Sequence, residues 1–174
     1  MGAKIYAISD LHLGHVNMAL KRGFSNVEEH DLHIVNTWNS IIAKHDTVYI
    51  LGDIASKSTD EILQSLISSL NGKKHIILGN HDRKKQMKLL FNNNVIESYD
   101  KNLTIAIDNQ LIYLSHRPKN NWPMDIDGSW HIFGHRHSTF NPYGTGKSID
   151  CGIDMWKYKP ISYEQVVEIM SEVK

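Results

Sequence analysis

A single cysteine, Cys151, stands in the whole sequence, so no internal disulfide can form and the chain suits a reducing compartment. Next to Gly152 it reads as a small buried hydrophobe rather than a reactive thiol. An excess of one charge is also missing. Lys plus Arg number 19 and Asp plus Glu number 19, which removes any overall attraction to nucleic acid or to an anionic membrane, and no obligatory nucleic-acid partner is expected. No apolar run approaches the roughly 20 residues that a membrane span needs. No positively charged leader with an apolar centre precedes the first apolar run, and a cytoplasmic protein is expected. There is no repeat, low-complexity tract or linker. With 174 residues and 41% hydrophobic content the chain can build one good core but not two typical domains, so a single domain over 1–174 is expected.

Histidine, by contrast, is abundant at 11 residues, which raises the expectation of a metal site before any motif is read. Five short apolar runs end on metal-ligating residue types. Ile5-Tyr6-Ala7-Ile8 leads to Asp10-Leu11-His12, Val48-Tyr49-Ile50-Leu51 to Gly52-Asp53, and His75-Ile76-Ile77-Leu78 to Gly79-Asn80-His81-Asp82. Leu111-Ile112-Tyr113-Leu114 leads to His116, and Trp130-His131-Ile132-Phe133 to Gly134-His135-Arg136-His137. Short, sharply bounded apolar runs read as buried strands, and in open α/β sheets ligands gather at strand ends.

Between these runs the pattern turns helical. Ser25-Asn26-Val27-Glu28 has capping-box spacing and is followed by Leu32, Val35, Trp38 and Ile42, predicting a helix over 27–44. His30, His33 and His45 lie in or beside it and read as ordinary surface or partly buried residues, not ligands. Ser58-Thr59-Asp60-Glu61 opens a second helix with Ile62, Leu63, Leu66, Ile67 and Leu70 inward, stopped by Asn71-Gly72. Strand, helix, strand in that order makes a right-handed βαβ unit and a parallel sheet. A third helix is expected over 83–91 with Met87, Leu90 and Phe91 inward, and its lysines read as a solvated face. Residues 103–107 and 111–115 flank Asp108-Asn109-Gln110 as a hairpin, which makes the second half antiparallel or mixed. Loops are expected over 117–129 and 140–146, a strand over 148–151, and a closing helix capped by Ser162 with Val166, Val167 and Met170 inward.

The ordered set Asp-x-His, Gly-Asp, Gly-Asn-His-Asp, Ser-His and Gly-His-x-His resembles the calcineurin-like metallophosphoesterases from Ile5 to about Asp154. The stretch from Asp10 to His15, with Gly152-Ile153-Asp154-Met155-Trp156 and Pro160-Ile161-Ser162, is similar to the small, cap-less members found in bacteria and phages. The resemblance implies a four-layer α/β sandwich with two mixed β-sheets and helices outside. It also implies one divalent metal on Asp10, His12, Asp53 and His137 and a second on Asp53, Asn80, His116 and His135. A shared carboxylate suits two ions roughly 3.5–4 Å apart, which together generate a bridging hydroxide for in-line attack on phosphorus. Imidazoles and an amide suit manganese, iron or zinc, with nickel or cobalt as further options, better than calcium or magnesium.

By the same resemblance His81 donates a proton to the leaving oxygen, and Asp82 either fixes its tautomer or caps the following helix. Arg117 and Arg136 are candidates for a non-bridging phosphate oxygen, with ordinary surface arginines as the alternative; His15 and Asn17 are outer candidates. Leu78 stands where protein serine/threonine phosphatases of this superfamily carry arginine, which argues against that branch. Trp122, on the 117–129 loop, offers either a face for a nucleobase or a local packing anchor. The expected activity is hydrolysis of a small, possibly nucleotide-like, phosphodiester. The alternatives are a phosphomonoesterase, a nuclease or a non-catalytic binding module.

Overall fold

A computed structural model of the chain describes residues 2–55, 58–137 and 141–173, so Phe140 of the expected 140–146 loop lies outside the described residues. The elements follow as β1 (Ile5–Ile8), α1 (Val16–Lys21), α2 (Val27–Ile41), β2 (Thr47–Ile50), α3 (Asp60–Ser69), β3 (Lys73–Ile77), α4 (Lys84–Asn92) and β4 (Ser98–Asp100). Then come β5 (Asn102–Ile107), β6 (Gln110–Ser115), β7 (Trp130–Phe133), β8 (Ser148–Asp150), β9 (Ile161–Ser162) and α5 (Tyr163–Glu172). They build two mixed sheets, ordered β4-β3-β2-β1-β9 and β5-β6-β7-β8. In the first, β1 to β4 are parallel and β9 is antiparallel at one edge; in the second, β6 to β8 are parallel and β5 is antiparallel. Among the described residues no helix is long and apolar enough to cross a membrane.

The period-two alternation of each strand assigns its faces. Tyr6, Ile8, Val48, Ile50 and Ile76 point to the core beneath α2, α3 and α4, where Ile34, Trp38, Leu63, Ile67, Met87 and Leu90 meet them. Ala7 and Ile77 share the other core with Ile112, Leu114, Ile132 and Ile149 of the second sheet and with Val166 and Met170 of α5. Cys151 is buried in this second core, as its small apolar side chain suggests.

Caps explain the helix starts. Asn26, one residue later than Ser25, caps α2 by accepting from Glu29 N at 2.8 Å; Thr59 caps α3; and Ser162 with Gln165 forms a full capping box on α5. The turn of the β5–β6 hairpin is only Asp108-Asn109, both at positive φ (49° and 64°), with Ile107 paired to Gln110. That is the two-residue turn whose twist matches a hairpin.

Three apolar positions assigned inward, Ile62, Phe91 and Val167, are exposed instead, as is Leu32 of the α2 pattern. The buried stripe on α2 runs through His30, Ile34 and Trp38, and on α3 through Leu63 and Ile67. Residues one turn-angle off such a stripe reach solvent even when apolar. The short elements α1, β4 and β9 carry too few residues for their period to be legible in the sequence.

On the outer face of the second sheet, His131 of β7 is fully buried among Tyr113, Trp122 and Phe133, with ring centroids 5.1–5.5 Å away. Ser115 Oγ donates to Arg117 O, so His131 Nε2 donates to Ser115 Oγ at 2.8 Å and Nδ1 has no hydrogen-bond partner among the described residues. Burial, with Lys119 adding to it, pushes the imidazole down to about 4. The unfolded chain therefore binds a proton that the native state refuses between about pH 6.5 and 4. Stability from this residue is complete above that window and is lost as pH falls through it, by about 3 kcal/mol in all. His131→Phe is expected to flatten this part of the stability profile of metal-free protein measured by urea unfolding. An unchanged slope would assign the acid lability to other groups.

Candidate metal centre

Because β1, β2 and β3 are parallel, their carboxyl ends lie along one edge of the first sheet, and those of β6, β7 and β8 lie likewise in the second. The loops leaving these ends carry every residue expected as a ligand. They are held in an unusual backbone state: Asp10, His12, Asp53, His135 and His137 have φ of 62°, 52°, 52°, 75° and 49°. This left-handed region costs a non-glycine residue about 1 kcal/mol or more, so each must be fixed by its surroundings.

The fixing contacts are specific. Asp10 N donates to Gly52 O, His12 N to Asp53 O and Leu13 N to Ile54 O, which zips the first loop onto the second. The Asp82 carboxylate accepts from Asp53 N (2.9 Å), Gly79 N (2.8 Å) and Ile54 N (3.0 Å), tying the second loop to the third. Gly52, at φ 90°, sits where a Cβ would lie 2.6 Å from Gly79 Cα and 2.7 Å from His116 Nδ1. Only glycine permits that approach.

Two groups result, Asp10 with His12 and His137, and Asp53 with His116 and His135; within each, one donor atom per residue lies within 4.8 Å of the others. Asp53 Oδ2 stands between the groups, 3.8 Å from His12 Nε2 and 3.5 Å from His116 Nε2. Asn80 Oδ1 joins the second group at 3.1 Å from His116 Nε2. Hydrogen bonds set which nitrogens face inward. His116 Nδ1 donates to Leu51 O at 2.8 Å and His137 Nδ1 to Asp154 Oδ2 at 2.9 Å, so both present Nε2 to the site. There His116 Nε2 lies 3.1 Å from His135 Nδ1, and His137 Nε2 lies 3.3 Å from His12 Nε2. Lone pairs that close repel unless a proton or a cation stands between them.

The residues fit divalent cations on two further counts. Asp10 Oδ1 is buried with no hydrogen-bond partner among the described residues, a costly arrangement unless a cation meets it. The charge states also suit metal ligands. Burial opposes the charge on Asp53, yet the His116 imidazole and the His81 N–H outweigh it and hold the carboxyl down at about 2. Burial pushes His12 down to about 3, leaving it neutral. An ionised carboxylate and neutral imidazoles are the forms that bind metal. Burial opposes charge on His116 as well, but Asp53 overcomes this and raises it, while the bond to Asp154 raises His137, so without a cation these rings attract protons instead.

Other expected site residues fare differently. His81 is half exposed at the open side, its Nε2 3.9 Å from Asp53 Oδ2 and its N–H donated to Asp53 Oδ1 at 2.9 Å. Asp82 neither orients that ring nor caps α4, whose N-cap is Arg83; its oxygens are engaged by the three backbone N–H groups above. Its position beside His81 in the chain does not bring the side chains together, so its catalytic assignment is replaced by a loop-clamping one. Arg117 Nη2 reaches Asn80 Oδ1 at 3.3 Å on the exposed rim. Arg136 instead donates to Tyr143 O at 2.8 Å and lies over the Phe133 ring. His15 caps α1 through Nδ1, with its ring 5.5 Å from that of His12, and Asn17 is exposed on α1.

Trp122 is buried and its indole N–H donates to Ser129 O and Oγ, which makes it the anchor of its own loop and removes it as a nucleobase platform. The cleft along that loop contains none of the ligand residues. His30, read as ordinary, is fully buried and bonded to Arg22 and Asp31. Arg22 and the outer role of Asp154 were missed, because a lone arginine after a short helix has no sequence signature. Burial opposes charge on Asp154, but bonds from His137 and Arg22 prevail and hold its carboxyl below the usual carboxylate range.

The family model for calcineurin-like phosphoesterases matches residues 3–157. An uncharacterized protein of Methanocaldococcus jannaschii is 33% identical over 98% of this chain and 93% of its own length. The gene 66 protein of Mycobacterium phage D29 is 29% identical over 99% of this chain and 98% of its own. Among solved structures, a protein of unknown function from Aquifex aeolicus superposes with a TM-score of 0.74 at 22% identity, covering 97% of this chain and 100% of that one. An archaeal phosphodiesterase superposes with a TM-score of 0.52 at 19% identity, covering 86% and 83%. These two likenesses, both at low identity, speak to the fold.

Proposed function

This chain belongs to the calcineurin-like phosphoesterase family, and from that premise we propose that it is a metal-dependent phosphodiesterase with a dinuclear centre acting on a small phosphodiester. In this reading Asp10, His12, Asp53 and His137 hold one divalent cation and Asp53, Asn80, His116 and His135 hold the other, with manganese, iron or zinc suited to the donors. The observation that carries it is the position of Asp53 Oδ2 between His12 Nε2 and His116 Nε2, at 3.8 and 3.5 Å. Bound there, two divalent cations supply charge neutralisation at the phosphate and activate water for in-line attack on phosphorus.

The chain's own residues do the rest. His81, half exposed above Asp53, holds a proton for the departing oxygen. Arg117, on the exposed rim beside Asn80, binds a non-bridging phosphate oxygen. Arg136, whose guanidinium donates to Tyr143 O, is the less favoured of the two arginines for this contact. The preference for a diester draws on the exposure of Asn80 and His81, which leaves that side of the site open to solvent. The fold shared with an archaeal phosphodiesterase agrees with it.

Metal-depleted protein, reloaded separately with manganese, nickel, zinc or magnesium, tests this against bis-nitrophenyl phosphate, nitrophenyl phosphate and cyclic nucleotides. Diester turnover that appears only on reloading and exceeds monoester turnover is the expected result. Turnover confined to the monoester would make the protein a phosphatase, and no turnover with any metal would overturn the enzymatic reading.

A further inference from the structure

The guanidinium of Arg22 is the most completely bonded group near the site. Arg22 caps the C-terminus of α1 and its side chain is only 3% exposed. Nε donates to Asp154 Oδ1 at 2.7 Å, and Nη2 to Asp154 Oδ2 at 2.9 Å and to Asp10 O at 2.8 Å. Nη1 donates to Leu11 O at 2.9 Å and to His30 Nε2 at 3.0 Å. Arginine has five N–H donors, and these contacts use them all. Although Arg22 borders a cavity of about 240 Å³ with Lys21, His137 and Tyr158, it has no donor left for a phosphate.

The contacts divide into two arms. One holds the backbone carbonyls of Asp10 and Leu11, within a loop whose Asp10 and His12 sit at left-handed φ. The other holds Asp154 as a bidentate ion pair, and Asp154 in turn accepts the Nδ1 proton of His137, which leaves Nε2 facing Asp10 and His12. Behind the guanidinium, His30 accepts with Nε2, so its Nδ1 donates to Asp31 Oδ1 at 2.7 Å, while Asp31 Oδ2 accepts Gly14 N at 2.8 Å. The far end of the same loop is therefore tied to α2 through the same chain of bonds.

We infer that Arg22 is a positioning residue that assembles one of the two metal sites from both directions, fixing the Asp10–His12 loop through its carbonyls and His137 through Asp154. The inference rests on the metal reading proposed above. Among the described residues Arg22 makes no hydrogen bond or ion pair to His116, His135 or Asn80, and its one link to that side runs through Asp10, whose Oδ2 accepts from His135 N at 2.8 Å, so the second site should depend on it far less. Lysine could keep the charge but offers three donors from a point, not a planar fork, and cannot reach both arms together.

The test is calorimetric titration of metal-depleted wild type, Arg22→Lys and Asp154→Asn with manganese, accompanied by electron paramagnetic resonance. Wild type should bind two equivalents and show a spin-coupled pair. Each variant should bind one equivalent about 10–100-fold more weakly, keep the other, and show uncoupled manganese at concentrations that fill the wild-type pair. Adding Asp154→Asn to Arg22→Lys should weaken binding little beyond Arg22→Lys alone, because that substitution already cuts the Asp154 arm along with the carbonyl arm. If Arg22→Lys does not fold, Asp154→Asn carries the test, since it leaves the carbonyl contacts in place. Equal weakening of both equivalents, or of neither, in a protein whose wild type binds two would overturn the role of Arg22 alone. Fewer than two equivalents in wild type would overturn the dinuclear reading and this inference with it.

Discussion

Asp53→Asn is expected to release metal at both sites, whereas Asn80→Ala weakens one. The substitution is close to isosteric, and the retained side-chain oxygen can still accept the His81 N–H that Asp53 Oδ1 accepts at 2.9 Å, so the loop should keep its shape. What disappears is the charge on the oxygen lying between His12 and His116. Two cations cannot approach within roughly 4 Å without an anion to screen them, so removal of the shared one should affect both. The loss should exceed the roughly 10–100-fold typical of changes to outer partners. In the proposed centre Asn80 would be a neutral ligand on one side only, beside His116, and its removal leaves the pair of Asp10 and His137 untouched. Elemental analysis after dialysis measures both, and two tightly held metals in the Asp53 variant would sink the bridging assignment.

The second large effect is expected from His81→Ala, which should retain both metals and fold normally yet hydrolyse esters of poor leaving groups about 10²–10⁴-fold more slowly. The ring is half exposed, and its Nε2 points to the region of Asp53 Oδ2 without joining either group of metal-capable side chains. In the proposed mechanism its place outside both groups suits it to act on the leaving oxygen and not as a ligand. A nitrophenolate departs with little need of that proton, so the defect should shrink sharply on nitrophenyl esters. Equal loss on both substrate types would show that His81 acts on something other than the leaving group. The backbone N–H to Asp53 survives the substitution, which separates the side chain's contribution from the loop's geometry.

The sequence by itself determined the strand ends and what they carry. A short apolar run followed by Gly-Asp or Gly-Asn-His-Asp is local, and parallel βαβ connections allow few arrangements, so Asp10, Asp53 and Asn80 had to emerge along one edge. Capping chemistry is local too, which is why α5 begins where Ser162 predicts and α3 begins one residue beyond the start of its Ser58-Thr59-Asp60-Glu61 box, at the Thr59 cap. The tertiary structure decided what depends on the direction of a side chain across distance. Asp82 follows His81 in the chain, but its carboxylate turns away to the N–H groups of Asp53 and Ile54 in the neighbouring loop and of Gly79 in its own. Trp122 turns inward to Ser129, and Arg136 outward to Tyr143. Arg22 shows the same limit most clearly. Its partner Asp154 is 132 residues away, and a bond between such positions is set by how α1 packs against the strand ends, which no local period or spacing encodes.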